Sequence, residues 1–85
     1  MNRTHQTLHC TLAHQVPGRV RLRMNQPIPA GNEKAIQVRL ESMTGVLSAS
    51  VRPLTASLIL WFDHQSTTLE ALMEQIETRL QSGFD

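Results

Sequence analysis

Eighty-five residues, 40% hydrophobic and 18% charged, leave room for one domain (residues 1–85, ordered core about 7–81) with one modest core, and they exclude a disordered chain. A formal charge of +1 excludes bulk attraction to nucleic acid or a membrane surface, so any such partner needs local clustering. One cysteine rules out an internal disulfide, and no apolar run is long enough for a signal-peptide core or a bilayer span; the expectation is a cytoplasmic protein without membrane insertion.

Thr7 to Val16 carries Leu8, Cys10, Leu12 and Val16 on even positions, the alternation of a half-buried strand. Pro17 and Gly18 mark a turn. Arg19 to Met24 alternates again, with Val20, Leu22 and Met24 on one side and Arg19, Arg21 and Arg23 on the other. Pro27, Pro29 and Gly31 break the chain before Asn32, which is placed to cap a helix bearing Ile36, Leu40 and Met43 and stopping at Gly45.

Val46 to Arg52 and Leu58 to Asp63 form a hairpin around Pro53, Leu54, Thr55 and Ala56. Leu47, Ala49 and Val51 face inward with Leu58, Leu60 and Phe62, leaving Ser48, Ser50, Arg52, Ile59 and Trp61 outward. Thr67 and Glu70 have capping-box spacing, and Leu69, Leu72, Met73, Ile76 and Leu80 make the apolar stripe of a second helix. The order ββαββα predicts an α+β, ferredoxin-like antiparallel sheet with two helices on one face and the other face open for a dimer or a ligand.

The hairpin at Pro17 and Gly18 decides what that open face carries. A two- or four-residue loop pairs Val16 with Arg19, His14 with Arg21 and Leu12 with Arg23. Leu8, Cys10, Leu12, His14 and Val16 then share the open face with the three arginines, Ile59 and Trp61. A three-residue loop or a bulge would flip the parity, sending Leu8, Leu12 and Val16 into the core and making His14 a buried structural histidine. An apolar, basic face on a small monomer marks an interface or ligand site.

The stretch from His14 through Pro17, Gly18, Arg19, Val20, Arg21 and Leu22 to Arg23, followed by a helix and then Thr44 to Val51, resembles the heavy-metal-associated-like domains that lack a CxxC loop. Within that group it is similar to the small cyanobacterial haem-binding proteins of the domain-related-to-iron type. The resemblance covers roughly residues 8 to 80. It implies a ferredoxin-like fold, a homodimer, and haem b held between subunits by a histidine from each, with His14 as the iron ligand. Haem carriage, sensing or regulation of a redox enzyme follows as the expected role, with a redox or respiratory protein as a possible partner. Met24 to Gly31, where metal chaperones carry their cysteines, has none, which weakens the alternative of a divalent-metal-binding domain.

Haem suits the expected face: a large apolar disc, an iron that takes imidazole, and two propionates that need cations. His14, Arg19, Arg21, Arg23, Leu12, Val16, Trp61 and Cys10 are the candidate cofactor-binding residues, and Arg52 joins Arg19, Arg21 and Arg23 in a basic cluster whose functional reading is recognition of carboxylates, either propionates or an acidic partner. Bis-histidine ligation leaves no open coordination position, so no enzyme activity is expected. The bland readings are a satisfied histidine beside a turn, a solvated arginine ladder that discourages aggregation, a tryptophan at a dimer contact and a small apolar cysteine. His5 and His9 lie about 13 Å apart along a strand, too far to share one metal. A competing function is a cofactor-free interaction module docking an acidic partner. An acylphosphatase-type enzyme lacks its glycine-rich phosphate loop here, and an RNA binder lacks paired outward aromatics.

Overall fold

Alternation in the second and fourth strands and 3.6-residue periodicity in the helices carry through to the architecture. The computed structural model describes residues 9–80; Thr7 and Leu8 of the expected first strand, and His5, lie outside them. The elements are β1 (Cys10–Val16), β2 (Arg19–Met24), α1 (Glu33–Glu41), β3 (Val46–Arg52), β4 (Ser57–Phe62) and α2 (Leu69–Arg79), with a 3-10 turn at Pro53–Thr55. The order is ββαββα. The four strands form one sheet, ordered β1-β2-β4-β3, and every neighbouring pair is antiparallel. β2 and β3 are therefore parallel to each other with β4 between them, and α1 is the crossover that joins them.

One face of the sheet supplies the core. Val20, Leu22 and Met24 of β2, Ala49 of β3, and Leu58, Leu60 and Phe62 of β4 cluster with Ile36, Leu40 and Met43 from α1 and its end, and with Leu72, Ile76 and Leu80 from α2. Val20, Leu22, Leu58, Leu60, Leu72 and Ile76 are completely buried, each side chain contributing about 1.5–3 kcal/mol relative to exposure. Ile28, in the loop before α1, is buried in the same cluster and pins that proline-broken loop to the core.

Two strands depart from simple alternation. Between Leu12 and His14 the β1–β2 register shifts, so that Ala13 is an extra residue: His14 lies opposite Arg21, but Leu12 lies opposite Leu22 and Cys10 opposite Met24. β3 does the same between Val46 and Ser48. Leu47, expected inside, is 71% exposed as a result, because the bulged residue has no place in the ladder.

Turns and caps are set by local chemistry. Pro17 and Gly18, the latter with φ 78°, form a two-residue loop; proline at the first central position and a positive-φ glycine at the second suit a type II turn. The Gly18 carbonyl accepts from the Phe62 N–H at 2.9 Å, tying the turn to β4. The α2 cap is Thr68, not Thr67: its Oγ1 accepts from the Ala71 N–H at 3.1 Å. Asn32 stands at the N-cap of α1 without the side-chain capping bond; Glu33 instead accepts from the Gly31 N–H through Oε1. α1 ends at Glu41, four residues short of the expected stop. Gly45, with φ 88°, brings β3 against the α2 cap region, where an added Cβ would stand 2.7 Å from Thr67 Cγ2.

Each edge strand is anchored by a helix glutamate. Glu41 Oε2 accepts from the Ala49 N–H of β3 at 3.1 Å, and Glu77 Oε2 accepts from the Cys10 N–H of β1 at 3.1 Å. A bulge and a carboxylate on the same strand are both devices that make a sheet edge a poor template for further pairing.

Candidate functional site

The face opposite the helices is organised in rows that cross the sheet. In the first row Val16, Arg19, Trp61 and Ser48 are successive partners from β1 to β3; in the second, His14, Arg21, Ile59 and Ser50; in the third, Thr11, Arg23, Ser57 and Arg52. The arginines at alternate positions of β2 are about 7 Å apart along the strand. Neutral residues of β4 stand between them and Arg52, which avoids placing like charges directly opposite each other. Ser57 is completely buried on this face, and its hydroxyl donates to the Thr55 carbonyl at 3.1 Å.

His14, Arg19, Arg21, Arg52, Ile59 and Trp61 line an open depression of about 260 Å³. Four of the sequence-predicted site residues, His14, Arg19, Arg21 and Trp61, are thereby brought together. Arg52 and Ile59 complete the lining; alternation put both on the outward face, and Arg52 belongs to the basic cluster that the sequence offers for carboxylates, whereas Ile59 was not among the candidate binding residues. Val16 stands at the end of its row and is 38% exposed, outside the lining. Arg23 lines a separate, larger depression at the other end of the sheet, with Asn25, Gln26 and Leu54 among its neighbours.

Two candidates are on the wrong side. Cys10, expected beside His14, is 5% exposed in the core, with its N–H and Sγ directed at Glu77 of α2. Leu12, expected opposite Arg23, pairs with Leu22 on the helix side and is 47% exposed at the sheet edge. The cause in both cases is Ala13: an extra residue reverses parity, so β1 gives His14 and Val16 to the open face and Leu12 and Cys10 to the other. The two alternatives for the first hairpin each hold for half of the strand.

Electrostatically the face is one-sided. No strand residue is acidic, and among the described residues none of the four arginines is paired with a carboxylate; the ion pair found is His9 with Glu77, at 3.7 Å. Arg52 Nε donates to Ser50 Oγ at 3.1 Å. Arg21 is different: its Nε is buried and has no hydrogen-bond partner among the described residues. Leaving a buried donor unmade costs about 1–3 kcal/mol, more for a charged group. His14 is exposed, and its imidazole makes no hydrogen bond to any described residue.

Cys10 is chemically quiet. Burial first, then the charge and hydrogen bonding of Glu77, push its thiol up to about 12, which removes the thiolate that nucleophilic or metal chemistry needs. Among the described residues no group of three or more His, Cys, Asp or Glu side chains is placed to hold a metal ion, and no helix is long and apolar enough to cross a membrane.

No family model matches this chain, and no curated protein and no solved structure matches it.

Proposed function

We propose that the open sheet face is a haem site, with His14 as the protein's ligand to iron and the neighbouring arginines as partners for the propionates. The observation that carries this reading is an imidazole that no described residue engages, beside an arginine and a tryptophan, on a face that no described helix covers. The residues present fit the group: His14 offers the nitrogen, Ile59 and Trp61 the apolar bed, and Arg19, Arg21 and Arg52 the cations, with Val16 and Arg23 at either end. Cys10 and Leu12 drop out of the ligand set, since they lie on the other side of the sheet.

The fold is compatible with this reading. The order β1-β2-β4-β3 is what a split βαβ arrangement gives when its last strand is moved to the front of the chain, so it supports a ferredoxin-like arrangement. A depression of about 260 Å³ is below the roughly 300–1,000 Å³ of an ordinary ligand pocket. A large flat cofactor would therefore lie across the rows and need a cover, which a second copy laid face to face would provide together with a second His14. When bound, haem would supply a redox-active iron without an open coordination position, in keeping with carriage, sensing or regulation of a redox partner and not with catalysis. The residues of the chain would hold the iron, bed the ring and neutralise its acids.

A visible spectrum of the purified protein titrated with haemin, beside His14→Ala, tests the proposal. The expected result is a saturable Soret band with sharp α and β bands on reduction, lost in the variant. A broad spectrum that does not saturate and is the same in both proteins would sink it, leaving a cofactor-free interaction face as the better account.

A further inference from the structure

The cations of the open face are all arginines; the only lysine in the chain, Lys34, is on α1. Arginine is the cation that grips oxyanions through a planar fork, whereas a solubilising surface is served equally well by lysine. Two of the four stand where two depressions meet. Arg21 and Arg52 line the one that also holds His14, Ile59 and Trp61, and they line a second of about 240 Å³ with Pro53, Leu54 and Thr55. Arg21 brings a buried Nε–H that no described residue accepts. Arg52 is exposed and oriented by Ser50. Among the described residues no carboxylate is within ion-pair distance of either. Two guanidinium forks lining the same two depressions, one of them with a buried unmade Nε–H bond, and no counter-ion among the described residues together describe half of a recognition site whose other half is an anion.

We propose that Arg21 and Arg52 form an oxyanion-binding site, taking the carboxylate or phosphate group of a ligand whose apolar body lies over Ile59 and Trp61. The site does not depend on iron or on ligation by His14. It would hold a propionate if haem is the ligand, and it would equally hold the anionic end of a different flat molecule. Arg19 is one row further along β2 and adds field, not the grip. Leu54, fully exposed at the mouth of the second depression, offers apolar contact to any part of the ligand extending beyond the two forks.

The test is the nitrogen-15 spectrum of the arginine Nε–H groups of the whole protein during titration with inorganic pyrophosphate and, separately, with benzene-1,3-dicarboxylate. Saturable movement of the Arg21 and Arg52 signals, with Arg39 and Arg79 on the helices unmoved, is the expected result, and the stronger of the two probes names the anion class. Arg52→Gln and the charge-keeping Arg21→Lys should each weaken binding roughly tenfold or more, as loss of a charge-assisted hydrogen bond implies, and Arg79→Gln should not. Movement that does not saturate, equal movement at Arg39 and Arg79, or unchanged binding in both Arg21→Lys and Arg52→Gln would overturn the site. Neither probe is an iron ligand comparable to imidazole. A chain that binds them but not haemin keeps this site and loses the haem reading; a chain that binds haemin but neither probe does the reverse.

Discussion

At the scale of single residues, Cys10 carries the clearest pH signature. Its thiol is raised from 9.0 to about 12 by burial and by Glu77. Above pH 9 the unfolded chain releases this proton while the folded chain keeps it, so the unfolded state binds fewer protons and stability falls as pH rises through that window. The contribution is at most about 1.4 kcal/mol per pH unit. Denaturant melts of the wild type and Cys10→Ala between pH 8 and 11 should diverge, with the steeper loss in the wild type; parallel curves would mean the thiol is not held in the folded state. The same burial predicts that Cys10 resists a thiol reagent at pH 8 until denaturant is added. Leu22, completely buried at the centre of the sheet, should cost about 2–5 kcal/mol when cut to alanine, read as a lowered denaturation midpoint with unchanged slope.

Elements show where sequence patterning succeeds and where it is blind. β2 and β4 could be read from alternation alone because both are central strands with one buried and one open face, and Arg19, Arg21 and Arg23 cannot be inside. β1 is an edge strand whose even residues are nearly all apolar. Its bulge leaves no mark, since Leu12 and Ala13 suit either side, and a bulge is a two-against-one event in the backbone. Leu47 was misplaced for the same reason, and the shift from Thr67 to Thr68 at the α2 cap is a choice between identical neighbours. Removing Ala13 should leave both halves of β1 on their present faces, because Leu12 would still meet Leu22 and His14 would still meet Arg21. The shortened protein should fold and keep an unreactive Cys10, whereas removing Gln15 would absorb the bulge by placing His14 opposite the completely buried Val20, on the helix side, and should lower the denaturation midpoint more than removing Ala13 does. Thr68→Ala should cost about 0.5–2 kcal/mol through the lost cap, and more than Thr67→Ala; the reverse order in thermal melts would contradict the assigned cap.

For the whole molecule, the site was legible as a face before it was legible as a list. Arg19, Arg21, Arg23 and Trp61 follow from the parity of β2 and β4, and His14 from its pairing with Arg21 across the two-residue turn, but that Arg52 lines the same depressions as Arg21 is a tertiary fact, arising because β4 pairs with both β2 and β3. The net charge of +1 is the sum of unlike halves. The strands carry Arg19, Arg21, Arg23 and Arg52 with no acid, while α2 sets Glu70, Glu74 and Glu77 against Arg79 alone. In low salt the molecule therefore behaves as a bipole and meets other surfaces with one orientation. It should be retained on a sulfonate resin even near its isoelectric point, elute earlier when Arg52 is replaced by Gln, and protect the arginine side from chemical labelling while it is bound there.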